Sequence, residues 1–319
     1  MIRTRFTEMF GLDHPVMSAP MAQHSGGTLA AAVSAAGGLG SFGGVQPEKG
    51  PEWIRSEIAT IRASTDRPFA VGFITQFIPL VAPLFEATLA EQPAAVTLSF
   101  TDPGPWIGPC KDAGAKVICQ VQTFEGAELA MAGGADVLVA QGTEAGGHTG
   151  MMSLLPFLAG VVERYPGVPV LAAGGISNGR ALAAALTAGA DGAWLGTVFL
   201  ATPEAVEVDE IHKQMIVDSD GEDTVFTRAY DIAYGASWPA PIGGRVRRDS
   251  FTDEWSEREA ELRQKTAESA ASTAPETSAR YYGQSARFVT GIRPAAEVVR
   301  SLSEEAERIL RSRPQTLLG

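Results

Sequence analysis

Residues 168–199 read VPVLAAGGISNGRALAAALTAGADGAWLGTVF, and this stretch holds one whole repeat of the fold. Val168–Ala173 is apolar and too short for a helix, so it reads as a buried strand. It leaves through Gly174-Gly175 to a helix start at Ser177/Asn178. The alanine-rich run Gly179–Ala188 is then stopped by a glycine, a helix C-cap signal. Gly192–Leu195 is a second short apolar strand, and it leaves through Gly196-Thr197.

The same unit recurs along the chain. Glycine stops appear as AAGGLG (35–40), DAGAKV (112–117), AGGADVLV (132–139) and TAGADGAWL (187–195). Strands are predicted at Pro15–Pro20, Gly38–Phe42, Phe69–Thr75, Ala94–Ser99, Lys116–Val121, Val137–Gln141, Val168–Ala173 and Gly192–Leu195. Helices are predicted between them at Thr28–Ala36, Pro51–Ala63, Glu125–Ala132, Leu154–Arg164 and Gly179–Ala188. Strands alternating with helices imply parallel pairing. Eight such units in about 200 residues fit an α/β fold of the closed (β/α)₈, or TIM, barrel type. An open doubly wound sheet would show a glycine fingerprint after its first strand, and Pro15–Ala22 has none.

After Ala201 the rhythm stops. Residues 204–285 read as a charged, irregular insertion with two helices, one of them Asp253–Ser269, folded as a lid over the barrel mouth. Residues 1–203 and 286–319 form the barrel in this reading, closed by a final helix over Pro294–Ser312 with Val298, Val299, Leu302, Ile309 and Leu310 at helical spacing.

Composition narrows the partners. The chain has 319 residues, 45% hydrophobic and 19% charged, which is ordinary for a globular protein. A net charge of −12 argues against nucleic acid and against an anionic membrane. The N-terminus lacks the apolar core of a signal peptide, and no stretch is long and apolar enough to span a bilayer. The expected setting is cytoplasmic. Cys110 and Cys119 are too few for a disulfide framework or a metal site, and no HxH or CxxC spacing exists, so no metal is expected.

Barrel enzymes work at the C-terminal ends of their strands. The exits here are SAPMA (18–22), Gln76, Gln120, Gln141-Gly142, Gly174-Gly175 and Gly196-Thr197. The last two pairs follow strands seven and eight, where barrels commonly bind phosphate through backbone N–H groups that side chains would obstruct. A tight turn is the plainer use of Gly174-Gly175, and the matching pair at 196–197 favours phosphate. The exit of strand six, AQGTEAGGHTG (140–150), places four glycines and His148 together. Glycine admits a ligand close to the backbone, and histidine moves a proton near neutral pH. A loop histidine capping a helix is the plainer alternative for His148. His14, at a strand entrance, is expected to be structural. His212 is expected to be solvated, and Glu144 to orient its loop.

PVMSAPMA (15–22), AQGTEAGGHTG, AAGGISNGRALAAALTAGADGAWLGTVFLAT (172–202) and GQSARFVTGIRPAAEVV (283–299) resemble the nitronate monooxygenase family, also called 2-nitropropane dioxygenases. The likeness covers essentially the whole chain and is weakest over 204–280. It implies a (β/α)₈ barrel holding FMN without a covalent bond. Ala19, Pro20, Met21 and Ala22 would contact the flavin through their backbone, Gln76 and Gln120 would face its polar edge, and Gly174, Gly175, Gly196 and Thr197 would hold its phosphate. Gln141, Gly142, Gly146 and Gly147 complete the implied cofactor contacts. His148 matches the family's catalytic base. His24 departs from the family's small residue at that place.

The implied reaction is oxidation of alkyl nitronates, or of nitroalkanes after deprotonation, by O₂. An NAD(P)H-dependent FMN reductase of enoyl-thioester or quinone substrates is the alternative, since FMN-type enoyl reductases share the barrel and a similar loop. A flavin-carrying binding protein is a third reading, in which His148 would be idle. The partners implied are a small-molecule substrate and O₂ or NAD(P)H, with a homodimer left open.

Overall fold

The computed structural model describes residues 1–276 and 278–318. Thr277 and Gly319, in the expected insertion and the expected closing segment, lie outside the described residues. In chain order the strands are β1 (Val16–Ser18), β2 (Gly40–Gly43), β3 (Phe69–Ile74), β4 (Ala95–Ser99), β5 (Lys116–Val121), β6 (Val137–Gln141), β7 (Gly147–Thr149), β8 (Val170–Ala173), β9 (Gly192–Leu195), β10 (Thr224–Thr227) and β11 (Gly243–Arg247). Eight of them form one parallel sheet in the order β1-β9-β8-β6-β5-β4-β3-β2, and a parallel bridge between Met17 and Leu39 brings its ends together. The chain is a TIM barrel, and β5, β6 and β9 keep the limits expected from sequence.

Side-chain alternation divides the apolar residues of each strand between two cores. One face packs on the helices: Val71, Val96, Val117, Cys119, Leu138 and Val170 belong to a large cluster with Leu29, Ile58, Phe157 and Leu182. The other face fills the barrel interior with Met17, Leu39, Ala70, Ile118, Val139 and Trp194. The N-terminal helix Arg5–Phe10, capped by Thr4, sends Phe6 into this interior cluster. At the other end of the chain the helix Ala295–Leu318 packs against Gly179–Thr187. A Cβ at Gly179 would lie 2.4 Å from Glu305 Cβ, and the Glu305 carboxylate accepts from the Gly179 N–H. The final helix is longer than Pro294–Ser312 because it continues through Pro314.

The expectation that 204–285 is irregular apart from two helices is corrected by the structure. β10, β11 and β7 make a three-stranded antiparallel sheet, with Gly244 opposite His148 and Arg245 opposite Gly147. Tyr230 and Val246 form one buried cluster of this region, and Trp255 and Leu262 another. The segment Asp253–Ser269 is two helices, Ser250–Trp255 and Glu259–Glu268, separated at Ser256–Arg258. His212 is not solvated: it lies on the helix Glu210–Asp218, is 1% exposed, and has its pKa lowered by burial to about 4. It is therefore a neutral core histidine at neutral pH.

The barrel's closed end depends on Asp191. Its carboxylate accepts from the Val170 N–H at 3.0 Å, from the Arg5 backbone N–H at 3.2 Å, and from Arg5 Nε and Nη2 at 3.0 and 2.7 Å. Asp191→Ala would leave a buried N–H without a partner and should lower unfolding free energy by about 1–3 kcal/mol. Urea denaturation measures this, and a loss under about 0.5 kcal/mol would show that the clasp is replaceable.

Candidate active site

A cavity of about 760 Å³ opens at the C-terminal ends of the barrel strands. Ala19, Pro20, Met21, Ala22, Gln120, Gln141, Gly146, Gly147, His148, Gly174, Gly175, Gly196 and Thr197 all line it. Two expected residues do not. Gln76 turns its amide to the Ser237 carbonyl at 3.3 Å, leaving its Oε1 buried without a partner among the described residues. Gly142 lies behind the wall, where a Cβ would come within 2.5 Å of the Leu154 nitrogen.

The glycines of the wall have specific uses. Gly174 and Gly175 have φ of 101° and 71°, which a residue with a Cβ adopts only under strain. They leave β8 just before the helix Gly179–Thr187, whose N-cap Asn178 accepts from the Ala181 N–H. Gly146 and Gly283 permit two backbones to touch: a Cβ at Gly146 would lie 2.4 Å from the Tyr282 carbonyl carbon. The Gly283 N–H donates to Thr197 Oγ1 at 2.9 Å, and the Gln284 N–H to the Glu144 carbonyl. Ser177 and Ser285 pair through their hydroxyls at 2.8 Å. The Tyr281–Ser285 segment thus lies across the glycine exits of β6, β8 and β9. Glu144 has the orienting place expected for it, since its carboxylate accepts from the Leu154 N–H.

His148 sits on β7, which exists because β11 pairs with it. Three features hold it. Its carbonyl accepts from Gln141 Nε2 at 3.0 Å, and Gln122 donates in turn to Gln141 Oε1 at 2.8 Å. Its ring lies flat on Trp238, with centroids 3.7 Å apart and 15° between the planes. Its Nε2 is 2.8 Å from Asp231 Oδ1. Arg245, a buried guanidinium whose pKa is lowered by desolvation, ties β11 to the loop by donating to the Thr143 carbonyl at 2.7 Å.

Asp231, Trp238, Tyr281, Tyr282 and Ser285 line the cavity from the part of the chain that sequence reasoning read least well. GASWPAPIGG (235–244) carried a signal, an aromatic among turn residues beside a glycine pair. Phe100 was also missed. Its φ of 84° is an outlier for a bulky residue, and its ring meets Trp238 edge-on at 4.9 Å. His24 lines the cavity and meets His212 edge-on at 5.8 Å, with Nδ1 3.0 Å from the Ala22 carbonyl. The cysteines are away from the site: both are buried, and burial raises each thiol, Cys110 to about 12. Among the described residues no group of histidines, cysteines and carboxylates could hold a metal, and no helix is long and apolar enough to cross a membrane.

Because Gly146 meets backbone rather than a flexible side chain, Gly146→Ala should push the 281–285 segment outward. Hydrogen exchange at the Gly283 and Gln284 amides should speed up at least tenfold while the barrel amides keep their protection, since only local opening is involved. Unchanged exchange there would show that the two backbones have room to part.

The sequence model of the nitronate monooxygenase family matches residues 3–97 and 82–305. A nitronate monooxygenase from Neurospora crassa is 35% identical over 341 residues, covering 92% of this chain and 89% of that protein. A Mycobacterium tuberculosis protein named (3aS,4S,5R,7aS)-5-hydroxy-7a-methyl-1-oxo-octahydro-1H-indene-4-carboxyl-CoA dehydrogenase is 33% identical over 232 residues, covering 72% of this chain and 64% of that one. Among solved structures, FabK from Thermotoga maritima superposes with a TM-score of 0.84 at 31% identity, covering 99% of this chain and 100% of that one. A nitroalkane oxidase from Streptomyces ansochromogenes superposes with a TM-score of 0.77 at 28% identity, covering 98% and 99%. The chain belongs to the nitronate monooxygenase family and is an oxidoreductase.

Proposed function

We propose that the protein holds FMN in the barrel mouth and oxidises alkyl nitronates, and nitroalkanes that it first deprotonates, with O₂. The observation that carries this reading is a histidine clamped by an indole and a carboxylate, facing a cavity whose opposite exits are bare glycine backbone. At about 760 Å³ the cavity lies within the roughly 300–1,000 Å³ usual for cofactor and ligand clefts.

The residues present fit FMN. Gly174 and Gly175 hold positive φ at a helix entrance, and a Cβ at Gly175 would find nothing nearer than 3.6 Å. Their N–H groups and those of Gly196 and Thr197 would hold the phosphate, with the Ser177–Ser285 hydroxyl pair beside them. No lysine or arginine is among the described residues lining the cavity, so backbone and hydroxyl donors would carry that task. Ala19–Ala22, Gln120, Gln141, Gly146 and Gly147 would surround the flavin ring. When bound, FMN supplies the redox chemistry, taking an electron from the nitronate and passing it to O₂.

The chain's own residues contribute proton transfer and the exclusion of water. His148 would take the proton of a nitroalkane's carbon acid, leaving the electron pair to the nitro group as a nitronate. Residues 204–285 would serve as a lid, with Trp238 and Tyr281 keeping water from the reacting atoms. In this reading the enzyme works in the cytoplasm.

A second reading is favoured by the likeness to FabK and by the exposed apolar residues Leu80 and Tyr234 in the cavity lining. It is an NAD(P)H-dependent reductase of an enoyl thioester or a quinone, since such a mouth would suit an acyl chain.

Anaerobic mixing of the FMN-loaded protein with propyl-2-nitronate, and separately with NADH or NADPH, distinguishes the two. Bleaching of the flavin by the nitronate alone is expected, and bleaching only by a nicotinamide would replace the first reading with the second. His148→Asn should keep FMN, slow nitroalkane turnover by about 10²–10⁴, and spare preformed nitronates, which need no base. Equal small losses on both substrates would reduce His148 to a loop-shaping residue.

A further inference from the structure

The two ring nitrogens of His148 have unlike surroundings. Nε2 lies 2.8 Å from Asp231 Oδ1, while no hydrogen bond joins Nδ1 to the described residues. With the Asp231 oxygen as acceptor, the short contact places the proton on Nε2. In the neutral ring the lone pair is then on Nδ1. We infer that Asp231 is a positioning residue that fixes His148 as its Nε2–H tautomer and makes Nδ1 the proton-accepting atom. This inference rests on the reading of His148 as the base.

Three observations support a role beyond packing. Asp231 is about 8% exposed on its side chain, and its second oxygen, Oδ2, is buried with no hydrogen-bond partner among the described residues. A buried carboxylate with one oxygen unsatisfied costs stability, and native structures rarely keep one without a use. The ring plane is also fixed independently of Asp231. Trp238 stacks on it, and Phe77 and Phe100 meet Trp238 edge-on at 5.5 and 4.9 Å. A half-turn of the imidazole about Cβ–Cγ would keep its plane on the indole but put a ring carbon where Nε2 meets the carboxylate, so the Asp231 contact selects one of the two ring orientations. Finally, the surrounding groups complement the charge that the ring gains on accepting a proton. Asp231 meets the imidazolium on its edge and the indole on its face. The Tyr281 hydroxyl, 5.8 Å away between ring centres, has its pKa raised by burial first and by Asp231, so it stays neutral.

The step balances without further reagents. The carbon acid's C–H bond breaks, its proton goes to Nδ1, and its electron pair passes into the nitro group. The imidazolium later returns the proton to water.

The test is the nitrogen spectrum of the FMN-loaded protein with ¹⁵N-labelled histidine. His148→Asn identifies the His148 signals among the four histidines. Wild type should show a protonated Nε2 and a bare Nδ1. Asp231→Asn, whose amide can turn an N–H toward Nε2, should shift the population toward the Nδ1–H tautomer. Its kcat on a nitroalkane should fall by about 10²–10⁴, with KM and the turnover of preformed nitronate within about threefold. A wild-type His148 carrying its proton on Nδ1 would overturn the inference even if the variant fails to fold. So would an Asp231→Asn protein that keeps both tautomer and turnover. If His148→Asn leaves nitroalkane turnover intact, the base reading fails and Asp231 loses its catalytic use. The spectra distinguish that failure from a wrong tautomer.

Discussion

The site depends on one short antiparallel pairing, Gly147–Thr149 against Gly243–Arg245. A glycine-rich loop has no intrinsic reason to hold a side chain in one place, because each glycine adds conformational freedom that must be removed. The pairing removes it by turning the exit of β6 into a strand. Arg245 reinforces the register by crossing to the Thr143 carbonyl, and Gln141 by donating to the His148 carbonyl. A net hydrogen bond is worth only about 1 kcal/mol, but a buried donor left unmade costs more. The buried Arg245 therefore resists slippage more strongly than it rewards formation.

From this pairing the remaining geometry follows. β11 approaches β7 only if the intervening chain returns across the barrel mouth, and the return carries Asp231 and Trp238 to the histidine ring. The later segment Tyr281–Ser285 can lie against the β6 exit because Gly146 and Gly283 have no side chains. Its first residue faces His148, while Gly283 binds Thr197 at the β9 exit. One backbone crossing thus links the proposed phosphate end of the cavity to its proposed catalytic end. Gly146→Ala would disturb both, although Gly146 carries no functional group.

Much of the barrel was legible because each repeat contains its own boundary marks. TAGADG and AGGAD stop a helix and start a strand within a few residues, and local chemistry alone determines that. The exits Gly174-Gly175 and Gly196-Thr197 were legible for the same reason. The lid was not. Thr224–Thr227 and Gly243–Arg247 are short, and neither the TVFT nor the GGRVR sequence shows clean alternation. Thr224–Thr227 is a strand because it pairs with Gly243–Arg247, which in turn pairs with Gly147–Thr149, far away in sequence. His212 misled because its neighbours Glu210 and Lys213 are charged, yet its helix turns it inward toward the Tyr281 carbonyl. Gln76 misled because a polar residue at a strand end resembles a ligand contact, whereas the Ser237 carbonyl takes up its amide.

These differences divide the labour within the molecule. The barrel exits present backbone, whose chemistry is the same whatever side chains surround it, and backbone suits a phosphate common to many reactions. Residues 204–285 present side chains, which in the proposed reaction would decide which proton moves and what may approach it. A change at Asp231 or Trp238 can therefore alter the reaction without touching the glycines proposed to hold the cofactor. In the proposed reading, a change at Gly175 would instead weaken the cofactor's hold and with it every reaction.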